Sequence, residues 1–191
     1  MQSYLGGIIM KKVLRYLLMT VMALCISLPC LSAEAASVAL LPLINNVQGD
    51  AAINQVFYKN AIAALNSSKG FVMVENDKLT AAIDAANIGD KVPGEATLAK
   101  IAKDGNVDIV IAVELDALSD TAIDSTEERK LQLDLQGYTV AYNALTGDFY
   151  KHRMYSDKVI PEALASRWNW THEEFGRELR KEIKKALAPK K

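Results

Sequence analysis

The stretch that most constrains this chain is Val107–Leu118, VDIVIAVELDAL. Val107, Ile109, Val110, Ile111, Ala112 and Val113 form a nearly unbroken β-branched apolar run, and polar alternation interrupts it only afterwards. A short run of this kind suits a strand buried on both faces, with helices above and below it. Its flanks supply those helices. Asp50 is placed to cap a helix over Ala51–Leu65, where Ile53, Val56, Phe57, Asn60, Ala61 and Ala64 recur at steps of three and four. Asn76 or Asp77 caps a second helix over Lys78–Ala86, and Pro93-Gly94-Glu95 opens a third over Ala96–Asp104.

Two further apolar runs read as buried strands, Ser37–Ile44 (SVALLPLI) and Phe71–Val74 (FVMV). Strand, helix, strand, helix, helix, strand is the order of a parallel sheet with right-handed crossovers. After Leu118 the pattern changes. Ser119–Glu128 is polar and acidic and reads as a loop. Arg129–Tyr142 then alternates, with Leu131, Leu133 and Leu135 on one face and Gln132, Asp134 and Gln136 on the other. Gly147 supplies the positive φ for a turn, and Phe149–Val159 returns as a more polar strand. This is an antiparallel hairpin on the flank of the sheet. A last helix over Trp168–Leu187 carries a stripe of Phe175, Leu179, Ile183 and Leu187, with a capping box from Thr171 to Glu174. The expected fold is therefore α/β: a mixed sheet with a parallel βαβ(αα)β core and an antiparallel hairpin, helices on its faces, and a helix at the carboxyl terminus.

The amino terminus has the layout of a secretory signal. Lys11, Lys12 and Arg15 precede the apolar Tyr16–Leu31, and Ala33-Glu34-Ala35 is a small-x-small cleavage site. Cleavage between Ala35 and Ala36 makes residues 1–35 a signal peptide and residues 36–191 one α/β domain. Two alternatives bear on the membrane. Retention of the segment as an anchor is opposed by an apolar run shorter than the ~20 residues that span a bilayer. Lipidation at Cys25 or Cys30 is opposed by Leu24 and Pro29, where a small residue belongs. Membrane attachment is expected only through one of those routes.

Both cysteines lie in the signal, so the exported chain has no thiol for a disulfide, a metal or a nucleophile. Three of the 22 cationic side chains and one of the 23 anionic ones leave with it, which takes the net charge from −1 to −3. Bulk attraction to nucleic acid is not indicated.

Three features together resemble the TolB amino-terminal-like / CsgG-like group of bacterial envelope domains. They are the opening strand SVALLPLINN, the Asp104-Gly105-Asn106-Val107-Asp108 step into VDIVIAVEL, and the hairpin turn YNALTGDFY, where Asn143 stands in place of the commoner acidic residue. The resemblance implies a mixed sheet flanked by helices and a mostly non-enzymatic role as an envelope partner or self-assembling component, with no shared catalytic residues.

Candidate sites are few. His152 and His172, the only histidines, have no cysteine to join them, and hydrogen-bonded or exposed histidines are the expectation. Glu114, Asp116, Asp120, Asp124, Glu127 and Glu128 concentrate acid at the carboxyl end of the central strand, where ligands of open α/β sheets bind. Glu114, Asp116, Asp120 and Asp124 are weak candidates for a cation, but the spacing is not that of a calcium loop. No G-x-S-x-G, P-loop or G-x-G-x-x-G is present, so no cofactor is implied and an enzyme is not expected. Arg177, Arg180, Lys181, Lys184, Lys185, Lys190 and Lys191 make the last helix basic at its end, which the helix dipole favours. Trp168 and Trp170, with Tyr138, Tyr142, Tyr150 and Tyr155 on the hairpin, form an aromatic cluster; Tyr138, Tyr142, Tyr150, Trp168 and Trp170 are the expected partner surface, since Tyr and Trp dominate interface anchors. The expected function is an exported, non-catalytic envelope module that binds another envelope protein or itself. The alternative is a periplasmic binder of a small ligand or cation at the acidic loop.

Overall fold

Among the described residues seven strands form a single mixed sheet around the Val107–Leu118 stretch. The computed structural model describes residues 35–123, 129–165 and 169–188. Along the chain run β1 (Ala36–Leu40), β2 (Ile44–Asn45), α1 (Ile53–Ser67), β3 (Phe71–Met73), α2 (Asp77–Ala86) and α3 (Glu95–Gly105). There follow β4 (Ile109–Ile123), β5 (Lys130–Asn143), β6 (Asp148–Ser156), β7 (Val159–Pro161), α4 (Glu162–Ala165) and α5 (Trp170–Leu187). The strand order is β3-β1-β4-β5-β6, with β2 also on β4 and β7 also on β5. β1 is parallel to β3 and β4, whereas β4, β5 and β6 are antiparallel. The α/β class, parallel core, flanking hairpin and closing helix are thus those read from the residues.

The two faces of the sheet are covered by different helices. On one, Val38, Ile111, Val113, Leu133 and Leu135 pack with Phe57 of α1 and with Phe175, Leu179 and Ile183 of α5. On the other, Ala39, Val110, Ala112 and Val140 pack with Leu79 of α2 and with Leu98 and Ile101 of α3. The central run therefore alternates between two cores, which is why it shows no polar residue until Glu114. The step before it also has a structural role. The Asp108 carboxylate accepts hydrogen bonds from the Ser37 amide at 2.8 Å and the Ser37 hydroxyl at 2.7 Å, fixing the register of β1 on β4. α1 and α5 approach closely where Gly176 meets Asn60: a Cβ there would lie 2.5 Å from the Asn60 amide nitrogen.

Several boundaries differ from expectation. The first strand is split, because Pro42 has no N–H for the ladder and one extra residue sits between the Leu40–Ile111 and Ile44–Glu114 pairs. β3 is an edge strand rather than a buried one, with Val72 52% exposed. The polar stretch from Ser119 begins as strand: Ser119–Ile123 continue β4, paired to Lys130–Asp134 of β5. Residues 124–128 lie outside the described residues. The return strand is divided into β6 and β7. The cap of α1 is not Asp50, which instead accepts from the Ala52 amide and pairs with His172. Thr171 lies inside α5, not at its cap. Glu174 reaches Lys158 at 2.6 Å and Arg177 instead of closing a capping box. Asn76 does cap α2, accepting from the Leu79 amide at 2.9 Å, and Gly147 has φ +74°.

Candidate interaction surface

Among the described residues the helices cover only part of the sheet formed by β4, β5 and β6. On the α2/α3 face the apolar cover ends near Ala112 and Val140. Beyond it, cross-strand pairing puts Tyr138 beside Arg153, Gln136 beside Tyr155, Val140 beside Lys151 and Asp134 beside Ser119. Directly opposed residues share a face. This surface is therefore built from β5 and β6 with the far end of β4, and Ser119, Thr121, Lys151 and Arg153 on it are exposed.

A β-bulge aims the surface. Between Leu115 and Ala117 the register of β4 on β5 shifts by one residue. Asp116 is the extra residue, and the alternation of β4 is reset beyond it. Gly137 lies opposite this bulge: a Cβ there would be 2.2 Å from the Glu114 carbonyl oxygen and 3.1 Å from Met154 Cε. Only glycine lets the strands approach this closely.

The side chains on the open face hold one another. Lys151 Nζ lies 5.3 Å from the centre of the Tyr138 ring, and the Arg153 guanidinium 5.4 Å from that of Tyr155. Arg153 Nη2 donates to Gln136 Oε1 at 2.9 Å, and Gln136 Nε2 donates to Asp134 Oδ1 at 2.9 Å. The Asp157 carboxylate raises the Tyr155 phenol above its ordinary value. The result is an amphipathic strip: two tyrosine rings, two cations stacked on them and a chain of amide and carboxylate groups.

The residues expected to form one partner surface are dispersed. Tyr138 is on the open face. Tyr142 is half-buried with Phe149 against the α2/α3 core. Tyr150 is on the opposite face, where its hydroxyl donates to Glu182 at 2.7 Å; burial and that carboxylate both raise its phenol. Trp170 is only 4% exposed, and its Nε1 donates to Asp120 at 2.7 Å. Trp168 lies outside the described residues. Pairing register is the missing signal. Counting back from the Gly147 turn places Tyr155 and Arg153, not Tyr150, on the face of Tyr138.

Of the acidic candidates, Glu114 and Asp116 meet at Lys91 and Asp120 stands apart. Glu114, 1% exposed, accepts from Lys91 Nζ at 2.8 Å and from the Val92 amide at 2.6 Å. Asp116 receives Lys91 at 3.1 Å and Asn46 at 3.0 Å. Burial works against the ionised Asp116, yet hydrogen bonds from Asn46 and Lys91 outweigh it and hold the carboxyl below its ordinary value. The same pair of carboxylates raises Lys91. Asp120 is on the other face with Trp170, and Asp124 lies outside the described residues. Among the described residues no three His, Cys, Asp or Glu side chains gather as a metal site.

Both histidines are hydrogen-bonded. His172 pairs with Asp50, and His152 Nδ1 lies 2.8 Å from Glu182. Glu182, 2% exposed, also receives Lys185 at 2.8 Å. Burial opposes its charge, and the hydrogen bonds from Lys185 and Tyr150 still keep it below the usual carboxylate value. The basic end of α5 is largely engaged as well, with Arg177 on Glu174, Arg180 on Asn60 and Lys181 on Glu178.

The fold and this surface define a class of protein: a mixed α/β domain in which, among the described residues, part of one sheet face carries no helix. No family model and no curated protein matches the chain. Among solved structures it is similar to the lipoprotein GNA1162 from Neisseria meningitidis, at 10% identity and a TM-score of 0.41 over 74% of this chain and 99% of that one. It is also similar to a protomer of the PelC dodecamer from Paraburkholderia phytofirmans, at 10% identity and 0.44 over 85% and 94%. A third likeness is to the LpoB C-terminal domain from Escherichia coli, at 16% identity and 0.35 over 65% and 84%. At such identities and TM-scores these likenesses assign no function to this chain. Among the described residues no helix is long and apolar enough to cross a membrane.

Proposed function

We propose that this chain is an exported, non-catalytic protein of the bacterial cell envelope that binds a protein partner, or a second copy of itself, through the bare half of its sheet. Export rests on the signal-like residues 1–35, with residues 36–191 as the working domain. The observation that carries the binding role is the strip of Tyr138, Tyr155, Lys151 and Arg153, over which no helix of the described residues lies. Tyrosine and arginine give the most binding energy per residue at interfaces. Rings and cations already stacked on each other lose little side-chain freedom when a partner covers them.

The test is affinity capture from the envelope fraction, with light scattering of the purified protein. Tyr138→Ala with Tyr155→Ala should reduce a captured partner or a self-association at least tenfold. Tyr58→Ala, an exposed tyrosine on α1, should leave both unchanged. Equal capture and equal mass for all three proteins would overturn the surface assignment. A mass spectrum of the native protein starting at Ala36 would support export and cleavage; one retaining residues 1–35 would refute them.

A further inference from the structure

A cleft of about 520 Å³ opens at the carboxyl end of the parallel strands, remote in function from the bare sheet face. One wall is the segment from Pro42 to Asn46, which includes β2; the other is the end of α2 and the turn after it, Ile83 to Asp90. The place follows from topology. From β1 the chain crosses to β3 by α1 on one face, and from β3 to β4 by α2 and α3 on the other. Connections leaving to opposite faces open a crevice outside the strand ends, and small ligands of open α/β sheets bind in such crevices.

The cleft is held open by hydrogen bonds rather than by chance loop placement. Asn46 Nδ2 donates to the Asp90 carbonyl at 3.1 Å and to Asp116 Oδ1 at 3.0 Å, tying one wall to the other and to β4. The next two residues of the turn, Lys91 and Val92, are both clamped by the buried Glu114. Asn87 turns the chain out of α2 with φ 45°.

Its chemistry is one-sided. Leu43, Ile44, Ile83 and Ile88 provide half-buried apolar surface. Asp84 and Asp90 stand exposed at the rim, and neither is in an ion pair among the described residues. The nearest cation in sequence, Lys91, is already shared between Glu114 and Asp116. Two unneutralised carboxylates over an apolar floor attract a positive charge and reward an apolar body attached to it. A bare metal ion is disfavoured, because two carboxylates without a third ligand make no cation cage.

We infer that this cleft binds a small organic amine, with a primary ammonium between Asp84 and Asp90 and an apolar group against Leu43, Ile83 and Ile88. The two carboxylates give the charge selection, and Glu114 acts as a positioning residue by holding the turn. The inference is independent of the partner surface.

The experiment is titration of the ¹⁵N-labelled protein with 2-phenylethylamine, with 2-phenylethanol and phenylacetate as the neutral and anionic isosteres. The amine should shift the amides of residues 43–46 and 83–90 saturably, with a dissociation constant on the order of 1 mM. Phenylethanol should bind about tenfold more weakly, a difference of about 1.4 kcal/mol, and phenylacetate should not bind. Asp84→Asn with Asp90→Asn, both exposed and safe for folding, should bring the amine down to the level of the alcohol. Shifts that do not saturate, that fall elsewhere, or that are equal for amine and alcohol would overturn the inference. So would an unchanged amine affinity in the double variant.

Discussion

Replacing Gly137 by alanine tests whether the β-bulge is fixed by close approach of the strands. The added Cβ would lie 2.2 Å from the Glu114 carbonyl oxygen and 3.1 Å from Met154 Cε. Met154 can yield by changing rotamer, but the carbonyl belongs to the backbone of β4, within a continuous ladder on both sides of the bulge. The contact is about 1 Å too short for ordinary packing, so β4 or β5 must move. Overpacking of this kind costs typically 1–3 kcal/mol, and a rigid obstacle puts this site at the upper end, about 3 kcal/mol. In a domain of this size that is a fall in Tm of roughly 6–12 °C. In urea it is a fall of about 1.5 M in the midpoint, if the m-value is near 2 kcal/mol/M. Equilibrium urea unfolding followed by circular dichroism reads it directly. Gly89→Ala is the matched control, since nothing lies within 4 Å of the place its Cβ would take and its φ is not left-handed; its change should stay within about 0.5 kcal/mol. Met154→Ala should not rescue Gly137→Ala. A Gly137→Ala protein as stable as Gly89→Ala, at unchanged m-value, would refute the bulge reasoning.

Three further outcomes are expected. Gly176→Ala should destabilise by about 1–3 kcal/mol through its clash with Asn60. Combined with Asn60→Ala it should cost less than the two changes summed, because the obstacle is gone; strict additivity in urea unfolding would contradict the contact. Thr139 is fully buried, and its hydroxyl has no hydrogen-bond partner among the described residues. Thr139→Val keeps the branched shape and removes that cost, so it should raise stability by about 1 kcal/mol, read as a higher urea midpoint. Asp50 is held below its ordinary 3.8, chiefly by the hydrogen bond from His172. A folded-state value below the unfolded one gives stability that is present above about pH 4 and lost as the pH falls through the folded value. Tm of wild type and Asp50→Asn should therefore converge as the pH is lowered from 6 to 2, and parallel curves would exclude that linkage.

Much of the architecture was legible in the residues because it depends on local patterning. The run Ile109–Val113 is apolar at every position, and only a strand between two cores asks for that. The stripe Phe175, Leu179, Ile183 and Leu187 is wholly buried, as its spacing requires. Gly147 and Asn76 mark a turn and a cap through their own short-range chemistry. Where local signals failed, a distant partner had taken the group. Glu174 is a good capping residue by type, yet Lys158 and Arg177 engage it. Ser119–Ile123 are polar enough for a loop, but Lys130–Asp134 complete their ladder.

The sequence by itself determined that this chain forms a parallel α/β core with an antiparallel flank, since period and polarity decide which elements form. It also placed tyrosines on the hairpin. Only the tertiary structure decided which of them meet solvent together. The register of β6 on β5 sets that choice, and it separates Tyr138 and Tyr155 from Tyr150. The buried Glu114 and the cleft it supports were likewise invisible in one dimension. A carboxylate at the end of a strand reads as an exposed acid until the lysine that reaches it, 23 residues away along the chain, is seen beside it.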